Sequence, residues 1–389
     1  MYQGKYIFSR IMELVPRYHF NFCVDKYSGD LRVKHFSCWQ QFLTMSFGQL
    51  SHRSSLRDIS VCLEAQQAKL YHLGLCSKVA RSTLAEANSK RDWRIYRDLA
   101  ELLIAQARKL YLHDNDFCVE LDNTVYALDA TTIDLCLNLF GWAHFRKRKA
   151  GIKLNTIIDL RGNIPTFIHI TNAKDHELDS FDLLPLESGA FYLVDRGYFD
   201  TQRLHDIHRI GAFFVIRWKT NVSFKRLYSN PVSKKDKEAG IRCDQTVRFS
   251  GDASGGGYPS LLRRIKFHDS ETGKTYIFFT NHFGVGAGVI AELYKQRWQV
   301  ELFFKWIKQH LKIKCFWGRS PNAVYTQVWI AICTYLLVAI LKKTLRIDQS
   351  MNEILQILSV SLFDKSPLES LFVTRELQKK APDTQEALF

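Results

Sequence analysis

Along this chain the spacing of apolar residues changes several times, and each change marks a different kind of element. Up to about residue 115 the apolar positions recur at helical spacing, among basic and aromatic residues. Ser51-His52-Arg53-Ser54-Ser55-Leu56 and Ser82-Thr83-Leu84-Ala85-Glu86 each put a serine cap ahead of a helix-like run. The pair reads either as a helix-turn-helix, which would bring Arg81 and Lys90 to DNA, or as ordinary packing helices.

Beyond residue 120 the runs shorten. Val125-Tyr126-Ala127-Leu128 and Phe191-Tyr192-Leu193-Val194 read as buried strands, each ending in an acid, Asp129 and Asp195. Residues 152–159 and 165–171, separated by Arg161-Gly162-Asn163, predict an antiparallel pair. A crossover helix over 178–184 and a fifth strand over 213–216 complete a mixed five-stranded sheet with helices, an α/β fold. From Trp218 to Tyr276 the pattern turns to charged loops, short alternating runs and the glycines 255–257, which predict a separate β-rich layer. One helix is expected across Tyr294 to Lys308. The 22 residues 320–341 carry no charge and are long enough to span a bilayer. Pro321, Asn322, Thr326, Gln327 and Thr334 favour instead a helix buried against the sheet. The changes of pattern divide the chain into a helical N-terminal region 1–115, a first core segment 116–218, an insertion 219–275, a second core segment 276–345 and a helical tail 346–389.

Charge adds a partner class. With 54 Lys and Arg against 39 Asp and Glu, the formal charge of +15 favours a polyanion. The densest cluster, Arg146-Lys147-Arg148-Lys149, falls between the first two core strands, expected at the sheet end near the acids, as DNA-backbone contacts or a solvated loop. Lys219, Lys225 and Arg226 in the insertion carry the same two readings. Nine scattered cysteines without a C-x-x-C pair argue against a disulfide framework and against a cysteine-rich zinc site. Gly284-Val285-Gly286-Ala287-Gly288 lacks the lysine of a nucleotide loop, so ATP is not expected. Lys5, Arg10 and Glu13 interrupt any signal-like run, so a cytoplasmic protein without a membrane span is expected.

The chemistry concentrates late in the chain. At about 100° per residue, Tyr294, Arg297, Glu301 and Lys308 share an arc of roughly 60° on one helix. A carboxylate there suits a divalent metal, while the arginine fork and the lysine point charge suit phosphate oxygens. The alternative is a solvated face with Glu301 paired to Arg297 or Lys305. Asp129 and Asp195, at the ends of parallel strands about 4.8 Å apart, could share that metal, or could each cap a helix. Asp134, Asp159, Asp175 and Asp200 lack the same context and read as structural or capping residues.

The order Asp, Asp, Glu, with Glu301 inside Y-x-x-R-x-x-x-E-x-x-x-x-x-x-K, resembles the DDE transposases of bacterial insertion sequences, in particular the IS-four-type group defined by that YREK signature. Ala127-Leu128-Asp129-Ala130-Thr131 and Leu193-Val194-Asp195-Arg196-Gly197-Tyr198-Phe199-Asp200 resemble its two aspartate motifs, and the likeness spans roughly residues 120 to 345. It implies an RNase H-like catalytic core, with Asp129 on the first strand, Asp195 on the fourth and Glu301 on a late helix. It implies further that a β-rich insertion interrupts the core and that a helical DNA-binding domain precedes it. These three acids would be catalytic and would hold two Mg²⁺ ions, with Mn²⁺ as a substitute. Tyr294, Arg297 and Lys308 would contact DNA, and Trp298 would stack on a flipped base. The partners implied are double-stranded DNA, as terminal inverted repeats and target, and a second copy of the chain when ends are paired, at the nucleoid. The activity implied is cut-and-paste transposition. A stand-alone RNase H-like endonuclease and a non-catalytic DNA-binding regulator are the alternatives.

Overall fold

The computed structural model describes residues 4–75, 78–112, 121, 123–146, 149–175, 180–218, 222–250, 257–310 and 316–372. Six helices come first: α1 (Ile7–Met12), α2 (Arg17–Lys26), α3 (Cys38–Leu50), α4 (Leu56–Glu64), α5 (Arg81–Lys90) and α6 (Arg94–Tyr111). Local chemistry sets several starts. Ser37 and Gln40 form a reciprocal capping box ahead of α3, and Ser55 accepts from the Asp58 amide ahead of α4. The second expected cap fails: α5 begins two residues earlier than a Ser82 cap would set it, with Ala80 at its N-cap, so Ser82 already lies inside the first turn. Residues 65–80 between α4 and α5 include two 3₁₀ turns, far more than the three or four residues of a helix-turn-helix.

The charge-free segment forms α11 (Pro321–Thr344), opened by a Ser320 cap and a proline in the first turn. It is long and apolar enough to cross a membrane, yet 94% of its most apolar window is buried inside the protein. Its neighbours correct the sequence expectation: it packs chiefly on α6, then on α5 and α3, rather than on the sheet. The reason is that α6 presents a wide apolar face, including Ile95, Leu99, Leu103 and Ala107, which needs covering, and a helix apolar on all sides must be enclosed. Polar ties fix the arrangement. Tyr111 donates to the Ala339 carbonyl at 2.8 Å, and Asn322 donates to the carbonyls of Asn88 and Arg91 at 2.8 and 2.5 Å.

The remaining strands build one ten-stranded sheet. These are β1 (Val125–Leu135), β2 (His144–Arg146), β3 (Lys149–Asp159), β4 (Ile164–Asn172), β5 (Phe191–Val194), β6 (Phe213–Arg217), β7 (Phe224–Asn230), β8 (Ile241–Phe249), β9 (Leu262–His268) and β10 (Thr275–Thr280). The order is β2-β3-β1-β5-β6-β10-β9-β8-β7, with β4 also on β3. Strands β1, β3 and β4 pair antiparallel, while β1–β5 and β5–β6 are parallel. The β3–β4 turn works because Gly162 and Asn163 both take positive φ, +72° and +55°.

Two expectations about this sheet change. The β-rich stretch is no separate layer: β10 pairs with β6 and continues the same sheet, covering an edge that β6 would otherwise expose. Strand β1 also runs six residues past Asp129, because β3 keeps pairing with it as far as Leu135. The crossover helix expected over 178–184 falls partly outside the described residues, and only Ser180 and Phe181 of it are helical. Alternation along β1 sends Val125, Ala127 and Ile133 into the core shared with the helical body, and Tyr126 and Leu128 into a second core on the far face. Asp129, in step with the first set, faces the helices. Helices α7 (Thr201–Arg209) and α8 (Lys234–Glu238) follow β5 and β7, and α12 (Met351–Ser361) follows α11.

Candidate active site

Parallel pairing of β1 with β5 places Leu128 opposite Val194, so the next residues on each strand, Asp129 and Asp195, come side by side where that pairing ends. One oxygen of Asp195 accepts from the Gly197 amide at 3.4 Å and caps a 3₁₀ turn, while the other accepts from the Tyr294 hydroxyl at 3.2 Å. The capping reading and the site reading of Asp195 therefore coexist.

The expected single helix is two. Helix α9 (Ala287–Gln296) ends at Arg297 and α10 (Trp298–His310) starts immediately after it. The junction is tightened by i,i+3 bonds of 3.2 Å, from the Arg297 amide to the Tyr294 carbonyl and from the Val300 amide to the Arg297 carbonyl. No proline or glycine causes the break. The two helices rest on different parts of the sheet, α9 over β6, β8 and β9 and α10 over β1 and β3.

All four signature side chains nonetheless turn to the same sheet region, Arg297 and Lys308 to the middle of β1, Glu301 to Arg297 on its own helical run and Tyr294 to the end of β5. The Tyr294 ring packs on Phe278 of β10 at 4.7 Å between centroids while its hydroxyl meets Asp195. Arg297 donates through Nη1 to Asp129 Oδ2 at 3.0 Å and through Nη2 to Glu301 Oε1 at 2.7 Å. Lys308 donates to Thr131 Oγ1 at 2.5 Å and to the Thr132 carbonyl at 2.9 Å. Sequence reading missed these two threonines, although strand alternation from Asp129 puts Thr131 on the same face. The Glu301–Arg297 pair of the plainer reading is present too, extended by Asp129. Trp298 is 56% exposed at the start of α10.

Burial pushes the Asp129 carboxyl up to about 6, reinforced by Asp195 and Glu301 and opposed by the Ala130 amide and Arg297. Burial also raises the Tyr294 phenol, as does Asp195 beside it. Burial works against the Arg297 charge, but Tyr294, Glu301 and both aspartates outweigh it and raise its affinity for the proton. A cleft of about 470 Å³ opens beside these groups, lined by Asp129, Ala130, Thr131, Glu301, Phe304, Lys305 and Lys308.

The carboxylates do not converge on one point as they stand. Among the described residues no group of three His, Cys, Asp or Glu is set to hold an ion, and at this site Arg297 and Tyr294 lie between the acids. The basic cluster is also further off than expected. Arg146 and Lys149 face one another across the β2–β3 pairing, and Lys147 and Arg148 lie outside the described residues. That end of β3 sits beside Leu135, about 20 Å along β1 from Asp129. Lys90 pairs with Glu86 at 2.6 Å, Arg81, Lys225 and Arg226 are exposed, and Lys219 lies outside the described residues. Of the rival acids, Asp159 is buried against Arg161 and Arg108, Asp200 caps α7, Asp175 accepts from the Asn172 amide and Asp134 is exposed.

Residues 120–337, a little over half of the chain, match the family model described as Transposase DDE domain, and residues 3–76 match a domain of unknown function, DUF4372. A relative from Sinorhizobium fredii named as a transposase is 31% identical over 291 residues, covering 74% of this chain and 79% of that protein. Two relatives named as transposases of insertion sequence elements come from Geobacillus stearothermophilus, 26% identical over 66% of each chain, and from Synechocystis, 25% identical over 86% of this chain and 88% of the other.

Proposed function

The chain belongs to the transposase DDE domain family and is an insertion-sequence DNA transposase, and on that premise we propose that Asp129, Asp195 and Glu301 form its single site for cutting and joining DNA. The observation that carries this reading is the meeting of three acids from β1, the end of β5 and α10 around the Arg297 and Tyr294 side chains. The strand order β4-β3-β1-β5-β6, with its antiparallel and parallel halves, supports an RNase H-like core. Within that core Asp195 follows the fourth strand once the short β2 is set aside. The intact spacing of Tyr294, Arg297, Glu301 and Lys308 supports membership of the YREK group.

The residues present fit divalent metal. Three carboxylates offer oxygen donors alone, the preference of hard cations such as Mg²⁺ and Mn²⁺. The Thr156 hydroxyl, opposite Asp129 on β3, is buried without a hydrogen-bond partner and is available to a water on that metal's shell. Asp129, Asp195 and Glu301 would hold two ions. When bound, these supply Lewis-acid activation of a water or DNA 3′-hydroxyl and stabilise the leaving 3′-oxygen.

The rest is done by the chain. Lys308, braced by Thr131 and the Thr132 carbonyl, is held in place to meet a phosphate, and Arg297 is a fork for another. Tyr294 orients Asp195 through its hydroxyl. Trp298, exposed beside Arg297, is placed to stack on an unpaired base. Strand transfer exchanges one phosphodiester for another, so no nucleotide energy source is required. The N-terminal helices would bind the inverted repeats, and a homodimer would pair two ends at the nucleoid.

The deciding experiment incubates a plasmid carrying the gene's own flanking DNA with Mg²⁺ and either wild type or Glu301→Gln. Cleavage and joining by wild type alone is the expected result. Cutting without joining would replace the proposal by a nuclease, and binding without cutting by either protein would replace it by a regulator.

A further inference from the structure

The guanidinium of Arg297 sits between two of the acids. Nη1 contacts Asp129 Oδ2 and Nη2 contacts Glu301 Oε1, so one side chain bridges the strand acid and the helix acid. Two further observations separate this contact from an ordinary ion pair. Arg297 occupies the junction of α9 and α10, where i,i+3 bonds interrupt an otherwise helical run, an arrangement often found at hinges. Its Nε is buried with no hydrogen-bond partner, so the fork is only partly used. Two carboxylates take one tip each, whereas a single phosphate can take Nε and Nη2 together.

We infer that Arg297 is an internal counter-ion that keeps the acidic site closed to divalent cations until a DNA phosphate draws its guanidinium away. The inference rests on the reading of Asp129, Asp195 and Glu301 as metal ligands. Guanidinium and metal compete for the same oxygens, Asp129 Oδ2 and Glu301 Oε1, so each binds at the other's expense. A phosphate that engages Arg297 removes that competition, and by linkage DNA and metal then tighten one another's binding. The free protein is thereby held inactive in a cell that always contains Mg²⁺, and the site is charged only where DNA is already seated.

The test reads Mn²⁺ binding to the full-length chain from loss of the free-ion electron paramagnetic resonance signal, which needs no turnover. Without DNA, Arg297→Gln should bind Mn²⁺ at least about tenfold more tightly than wild type, and adding Glu301→Gln should reverse the gain. A duplex taken from the gene's flanking DNA, at low salt where phosphate contacts suffice, should tighten Mn²⁺ binding by wild type and leave Arg297→Gln unchanged. If Arg297→Gln binds no better than wild type while wild type with duplex binds well, the counter-ion role is overturned and the metal site stands. If no protein binds Mn²⁺ under any condition, the metal reading fails and this inference with it. Should the variant not fold, wild type alone decides: equal Mn²⁺ affinity with and without duplex overturns the inference.

Discussion

Two of the guanidiniums that hold carboxylates among the described residues, Arg263 and Arg297, differ in a way that separates structure from chemistry. In the insertion, Arg263 of β9 sends Nε and Nη2 to the two oxygens of Asp244 on β8, at 2.9 and 2.6 Å, and Nη1 to the Val285 carbonyl. One charge meets one charge, all three nitrogens are engaged, and the side chains are only 7% and 10% exposed. Beside the strand ends, Arg297 is shared between Asp129 and Glu301, Asp195 stands one phenol away, and Nε has no acceptor. The first pair is complete, and it ties the insertion to the segment leading into α9. The second sets one guanidinium against two carboxylates, with a third close by, and leaves a donor idle. A buried ion pair by itself says little about function; an incompletely balanced one says much more.

The sharpest way to break this contrast is chemical. Glu301→Gln or Asp195→Asn should lower DNA cleavage at least about a thousandfold in a plasmid assay while leaving a gel-shift of flanking DNA intact. Cleavage within tenfold of wild type would remove these acids from the chemistry. Asp244→Ala should do the reverse. It strands the Arg263 charge and should cost about 3–5 kcal/mol in denaturant unfolding, with cleavage per folded molecule little changed at low temperature.

Asp129 sharpens the comparison through pH. Its folded pKa of about 6 lies above the ordinary carboxylate value near 4, so the folded state holds the proton more tightly. The stability this provides is complete below about pH 4 and lost as pH rises through 6, leaving the ionised group as a burden of about 3 kcal/mol at neutral pH. Asp129→Asn should therefore melt higher than metal-free wild type at pH 7.5, and the gap should close toward pH 4.5. A gap that stays constant with pH would show that Asp129 ionises as in water.

Smaller effects come from basic residues and their supports. Replacing Arg146 and Lys149 together by alanine should flatten the dependence of log affinity on log salt by about 2 units, without changing sequence preference. Thr131→Val removes one of the contacts that hold Lys308 and should weaken DNA binding about fivefold, measured by fluorescence anisotropy.

How much of this was legible in sequence depends on whether the cause is local. Strand β5 coincides with the apolar run before Asp195, and the β3–β4 hairpin follows from Gly162 and Asn163, because short runs and turn residues carry their own instructions. Burial of α11 followed from its polar residues and the absence of charge, but its partner did not, since α6 lies two hundred or so residues away in the chain and only tertiary packing pairs them. The joining of the insertion to β6 is non-local in the same way. At the site, spacing made the Arg297–Glu301 neighbourhood readable, and the ends of two apolar runs put Asp129 and Asp195 side by side. The break at Arg297 was not, because Lys295-Gln296-Arg297-Trp298-Gln299 contains no helix breaker and the turn arises from two helices seated on different strands.

The enclosure of α11 by the first helices has a consequence in time. Helices α3, α5 and α6 leave the ribosome early, but the apolar surface they present is not covered until residues 321–344 have been made. At roughly 5–20 residues per second, the wait is on the order of 10–40 s. Throughout that interval the N-terminal part of a nascent transposase is a set of helices without a finished core, sticky and open to proteases. A message broken off before α11 would yield a chain that cannot close, so the making of that helix is also the act that renders the first helices durable.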